Sequence, residues 1–184
     1  MAKTLSSMLP LGTKAPDFSL IDVVSGKNIN LNDGHEYLAT LIMFICNHCP
    51  YVKHINNGLA KLSNDYKAKN IRVIAINSNN IESHPDDSPD NMKITAKSEG
   101  YQFPYLFDET QEVAKAYHAA CTPDFFIFDK YNTLKYRGQF DDSRPGNGIE
   151  VTGNSIRTAL DCLITGKSIP EIQKPSIGCN IKWK

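Results

Sequence analysis

The chain has 184 residues, with 20 Lys and Arg against 20 Asp and Glu, so its formal net charge is zero. That balance supplies no global attraction for nucleic acid or an anionic membrane, and no run of about 20 apolar residues is present to span a bilayer. Five cysteines at positions 46, 49, 121, 162 and 179 are odd in number and irregular in spacing. They fit reduced thiols with one reactive pair better than a secreted disulfide framework. The length fits one domain over residues 1–184. Residues 1–11 hold one Lys and no apolar segment long enough for a signal peptide, which sets the expectation of a soluble, cytoplasmic protein.

In chain order, residues 1–35 read as an N-terminal extension. It contains an extended lead-in over Leu11–Leu20, with Phe18, Leu20 and Val23 facing one way, and turns at Gly26 and Asp33-Gly34. Leu38–Ile45 is an apolar run of strand length, and Val52, Ile55, Leu59, Leu62 and Tyr66 then recur at helical spacing. Between them stands Cys46-Asn47-His48-Cys49. The change of period predicts a buried strand that delivers Cys46 to a helix N-terminus, where free N–H groups and the helix dipole favour a thiolate. Ile71–Ile76 is a second strand, parallel to the first because a helix connects them.

Residues 77–91 are polar, acidic and punctuated by Pro85 and Pro89, and read as a surface loop, whose acidic stretch 81–90 is a solubilising insertion rather than a recognition element for a basic partner. Ser88 and Pro89 mark an N-cap and first helical position, with Gly100 as the stop. Asp108–Gln111 opens a helix through Val113, Ala114 and Tyr117. Phe125–Phe128 and Leu134–Arg137 form a hairpin, and Ile156, Leu160, Leu163 and Ile164 give a last helical stripe ended by Gly166. In the tail, residues 167–184, the single Trp183 suggests docking, since so large an aromatic gains most when buried.

Two thiols spaced C-x-x-C suit disulfide exchange: Cys46 attacks a substrate disulfide, and Cys49, one turn deeper, resolves the mixed disulfide. A neighbouring His48 imidazolium would stabilise the thiolate. The same pair with His48 or His54 is half of a zinc site, but four ligands are the norm and no second Cys/His pair has suitable spacing. Cys121 is read as packing beside the dithiol or as a third redox thiol, and Cys162 as inert. Cys179 is a resolving thiol, a packing residue or a sensor. Asp141, Asp142 and Arg144 form a polar loop, while His35, His84 and His118 read as surface or capping residues.

The order of elements, with C-x-x-C after the first strand, resembles the thioredoxin fold. Gly12-x-x-Ala15-Pro16-Asp17-Phe18-x-Leu20 resembles the opening shared by peroxiredoxins and membrane-associated thioredoxin-like reductases. Cys121-Thr122-Pro123, directly before the strand from Asp124, resembles the segment whose proline faces the C-x-x-C. With Asp141–Gly146 and Ser176–Cys179, almost the whole chain resembles the peroxiredoxin-like branch of the thioredoxin superfamily that carries C-x-x-C.

The resemblance implies an α/β thioredoxin-like fold, with a central mixed β-sheet flanked by helices and an inserted loop and helix. It also implies a cis Thr122–Pro123 bond and thiol–disulfide oxidoreductase activity with Cys46 and Cys49 catalytic. His48, Thr122 and Pro123 would support them, and Arg144 is a possible substrate or thiolate contact. The expected partners are a disulfide-bearing protein or small thiol and a thiol reductant, with no cofactor, metal, nucleic acid or membrane.

Peroxidatic cysteines follow Pro-x-x-x-Thr/Ser-x-x-Cys. The corresponding residues here are Ile42 and Cys46 before Cys49, or Ala39 and Met43 before Cys46, so peroxidase activity is at most a weak alternative, with Arg137 or Arg144 as its arginine. Ile45 stands where thioredoxins have tryptophan, and Thr40 where they have a buried acid. A third alternative, from outside enzymology, is a binding module whose cysteines pack or hold zinc.

Overall fold

A computed structural model describes residues 3–184, so the first two residues of the expected N-terminal extension lie outside the described residues. The strands are β1 (Lys3–Leu5), β2 (Ser19–Asp22), β3 (Asn28–Asn30), β4 (Ala39–Phe44), β5 (Ile71–Asn77), β6 (Tyr105–Phe107), β7 (Cys121–Thr122), β8 (Asp124–Asp129), β9 (Leu134–Gly138) and β10 (Ile177–Asn180). The α-helices are α1 (Pro50–Tyr66), α2 (Pro89–Ser98), α3 (Glu112–Ala116) and α4 (Asn154–Ile164).

Seven strands form one mixed sheet in the order β3-β2-β6-β5-β4-β8-β9. The β4/β5 and β5/β6 pairs are parallel, and β8 runs antiparallel to β4 with Phe44 opposite Asp124. Every residue of β4 and β5 is buried, as expected of central strands covered on both faces. Leu41, Met43 and Ile45 face the side packed by Val52, Ile55 and Leu59 of α1 and Ile156 and Leu160 of α4. Ile42 and Phe44 face the other side, with Tyr117, Phe126 and Phe128. The architecture is thioredoxin-like.

Four features differ from the sequence reading. First, α1 begins at Pro50 with Cys49 as its N-cap, so Cys46 is not at the helix N-terminus. Proline disfavours the α conformation in the residue before it, and Cys49 accordingly sits at φ −68°, ψ 124°. Second, β6 follows Pro104; three residues are too few to show a period. Third, residues 77–91 are not merely a surface insertion: Asn77, Ser78, Asn79 and Asp87 are all buried, and Pro85–Asp87 is a 3-10 turn.

Fourth, the tail docks as a strand. β10 lies between β1 and β7 in a three-stranded antiparallel sheet, with Cys179 opposite Thr122. The docking runs through backbone, Cys179 and Ile181, while Trp183 remains 43% exposed. A Cβ on Gly178 would lie 1.9 Å from the Thr122 carbonyl oxygen, so only glycine lets β10 approach this closely.

Candidate functional site

The site sits at the C-terminal end of β4, where the Ile45 N–H still bonds Ile76 O at 3.0 Å before the chain leaves the sheet. Cys46, Asn47 and His48 form a short irregular segment, and Cys49 then enters α1. Its carbonyl accepts the Val52 and Lys53 N–H groups at 3.1 and 3.0 Å. Facing this segment is the cis Thr122–Pro123 peptide. Thr122 reaches both cysteines: its Oγ1 lies 3.1 Å from Cys46 Sγ, and its carbonyl oxygen accepts from Cys49 Sγ at 3.2 Å. The structure thus gathers Cys46, Cys49, Thr122 and Pro123 at one point.

Cys179 belongs to the same cluster, its sulfur 2.9 Å from that of Cys49. Cys49 is the central sulfur of three. The Cys46 thiol donates to it, and burial opposes ionisation, but the Cys179 thiol and the Val52 and Cys179 N–H groups also donate, so its pKa is lowered to about 5. Burial, together with the hydrogen bond it gives to Cys49, raises the pKa of Cys46 well above the usual thiol value. Burial likewise pushes Cys179 up to about 12. The reduced cluster therefore holds its negative charge on Cys49. When Cys49 is protonated, the Thr122 carbonyl takes its hydrogen bond. Cys46 is itself only 2% exposed.

A carboxylate that the sequence reading assigned to solvent braces the C-x-x-C segment. Asp87 is fully buried. Its oxygens accept from the Asn47 N–H at 2.7 Å and the Asn79 amide at 2.8 Å, and one lies 2.6 Å from His48 Nδ1. Burial pushes the Asp87 carboxyl up, but the bonds from His48, Asn79 and Asn47 outweigh it and hold its pKa below the ordinary value. Asn47 is clasped further by Asp86 O and the Tyr105 hydroxyl. His84, expected on the surface, packs its ring 4.7 Å from that of His48. The one sequence signal for this brace is the pair Pro85 and Pro89, which fix φ on either side of Asp87.

Cys46, His48 and Asp87 each offer a ligand atom within 4.8 Å of the others, the geometry of an incomplete metal site. The buried His48 Nε2 has no hydrogen-bond partner among the described residues. A metal here would draw on Cys46, His48 and Asp87, but recruiting Asp87 would compete with the hydrogen bonds that hold the loop, and four protein ligands are not assembled among the described residues. His54, the other histidine weighed for zinc, lies 2.7 Å from Ser143 Oγ.

Cys121 and Arg144 lie beside Pro123, whereas Arg137 is held elsewhere. Cys121 is buried, its sulfur 3.5 Å from Pro123 O, and burial raises its pKa strongly. Arg144 lines a small cleft with Pro123, Tyr51 and Ile177, but its guanidinium is held by Asp141 O, Ser143 O and Gln139 Oε1, all at 2.6 Å. Arg137 bonds Leu9 O and Gln173 Oε1.

A cluster of buried thiols facing a cis-proline at the strand–helix junction of a thioredoxin-like sheet defines the structural class. The AhpC/TSA family model matches residues 11–137, and the chain belongs to that family. It is similar over its full length to an uncharacterized conserved protein from Geobacillus kaustophilus. That match has 60% identity and TM-score 0.98, covering 100% of this chain and 97% of the other. A hypothetical protein from Sinorhizobium meliloti is 48% identical, with TM-score 0.96 and 98% of each chain covered.

The thioredoxin domain of a thiol-disulfide oxidoreductase from Bacteroides vulgatus shares the fold at 18% identity. Its TM-score is 0.62, with 81% of this chain and 96% of that one covered. No curated protein matches the sequence. No helix of the described residues is long and apolar enough to cross a membrane.

Proposed function

We propose that this protein is a thiol–disulfide oxidoreductase in which Cys46 is the nucleophile and Cys49 the resolving thiol. The observation that carries the reading is Thr122, which faces the C-x-x-C segment from the cis peptide and touches both sulfurs, its hydroxyl 3.1 Å from Cys46 Sγ and its carbonyl oxygen 3.2 Å from Cys49 Sγ.

As Cys46 attacks one sulfur of a substrate disulfide, its proton passes to Cys49, whose S–H then has the Thr122 carbonyl as acceptor. The substrate S–S bond breaks, and the leaving thiolate takes up a proton. The Thr122 hydroxyl donates to the Cys46 sulfur and stabilises charge developing there. Cys49, deprotonated again, attacks Cys46, releases the second substrate thiol and forms Cys46–Cys49. Two electrons have moved from the protein dithiol to the substrate, and a thiol reductant restores the pair.

Asp87 fixes the register of the loop by holding both the Asn47 backbone and the His48 ring. Peroxide reduction is less well supported, because Arg137 and Arg144 are both committed to loop hydrogen bonds. The substrate class fits either protein disulfides or small disulfides.

The test compares reduction of a model protein disulfide and of hydrogen peroxide by the wild type, Cys46→Ser and Cys49→Ser. Cys46→Ser is expected to abolish disulfide reduction, and peroxide is expected to react slowly with all three. Full disulfide reductase activity in Cys46→Ser would overturn the assignment of the nucleophile.

A further inference from the structure

The docked tail gives Cys49 a second thiol partner through a distance set by backbone. β10 is pinned against β7 with Cys179 opposite Thr122, at an approach that only glycine at 178 allows. Beyond β10, Ile181 N–H bonds Ala120 O at 3.3 Å, Lys182 N–H bonds Asn79 Oδ1 at 2.8 Å, and Lys182 O accepts from both Asn80 N–H and Gln111 Nε2. β1 closes the outer edge. The Cys179 sulfur is thus presented to Cys49 by a strand held on both sides, and a disulfide there requires the sulfurs to close by less than about 1 Å.

We infer that Cys179 is the third member of an internal relay, taking the disulfide from Cys46–Cys49 to Cys49–Cys179. This rests on the dithiol reading above. Once Cys46–Cys49 has formed, Cys179 attacks the Cys49 sulfur. The Cys49–Cys179 bond forms and the Cys46–Cys49 bond breaks. Cys179 loses a proton, Cys46 leaves as thiolate and gains one, and no net electrons move.

The consequence is chemical. Oxidising equivalents are held between Cys49 and Cys179, while Cys46, the thiol that exchanges with substrate, is reduced again and offers the released product thiol no disulfide to attack in reverse. Reduction returns through the same steps, with Cys46 attacking Cys49 before an external thiol attacks Cys46. Such transfer is favoured by the fixed proximity of the reacting groups.

The test is a time course on the reduced full-length protein. It is oxidised with a pulse of diamide, acid-quenched, alkylated and mapped by peptide mass spectrometry for the wild type, Cys46→Ser and Cys179→Ser. In the wild type, Cys46–Cys49 is expected first and Cys49–Cys179 later, the two ending within about tenfold of each other, equivalent to about 30 mV. Cys179→Ser should stop at Cys46–Cys49, and Cys46→Ser should form Cys49–Cys179 alone.

Formation of Cys46–Cys49 in the wild type with no Cys49–Cys179 at any time would overturn the relay and leave the dithiol reading standing. Failure of Cys179→Ser to form Cys46–Cys49 would instead overturn the dithiol reading.

Discussion

Asp87 ties the 77–91 loop to the thiol segment through Asn47 and His48, and replacing it with Asn tests that role. The carboxylate is fully buried and accepts from the Asn47 N–H and the Asn79 amide, with the His48 ring 2.6 Å away. Asn would keep one acceptor oxygen but turn an amide donor toward groups that already donate. Hydrogen bonds to a buried charge contribute about 1.5–3 kcal/mol each. Since Asn retains part of the network, Asp87→Asn is expected to lower stability at pH 7 by about 3 kcal/mol. For a domain of this size that corresponds to a fall in Tm of roughly 6–12 °C.

The sign of the pH dependence follows from the depressed carboxyl. Its folded pKa lies below the ordinary value of 3.8, so its contribution is complete above the unfolded pKa and is lost as pH falls through the folded one. Urea denaturation of both proteins at pH 7 and at successively lower pH should show a gap that is full near neutrality and narrows in acid. A gap that is absent at pH 7, or that stays constant into acid, would refute the brace.

Asp124 carries the opposite sign: burial raises it to about 7, so the stability of its protonated form is complete below about pH 4 and is lost as pH rises to neutrality. Asp124→Asn should flatten that fall, which is at most about 4 kcal/mol, as read from denaturation midpoints between pH 4 and 8. Gly178→Ala forces β10 away from the Thr122 carbonyl and should cost about 1–3 kcal/mol in urea unfolding. It should also raise the iodoacetamide reactivity of Cys179, so unchanged reactivity would contradict the tight seating of β10. Cys49→Ser should accumulate mixed disulfides on Cys46, visible as glutathione adducts by mass spectrometry.

The central architecture was legible because it is written in long, unambiguous periods. The apolar run before Cys46 becomes β4, the Val52–Tyr66 stripe becomes α1, and Ile71–Ile76 becomes a parallel partner. Ser88-Pro89 and Gly100 bound α2 where helix-end chemistry places them. What escaped was short or non-local. β1, β6, β7 and β10 have two to four residues each and depend on partners distant in sequence.

Asp87 looks like its neighbour Asp86 in the sequence, and only the fold turns one inward. The position of Cys49 at the helix cap was readable from Pro50, whose effect on the preceding residue outranks the change of period. Trp183 shows the reverse error: the tail docks, but through the glycine beside Cys179 and through backbone bonds that leave no mark in composition.

The account stands on the claim that Cys46 and Cys49 form a reversible dithiol. The most direct measurement is peptide mapping of the disulfides at equilibrium in a series of glutathione buffers. It should show Cys46–Cys49 appearing and disappearing reversibly over one redox transition. Persistence of both thiols across the full series, in protein that remains folded, would contradict it.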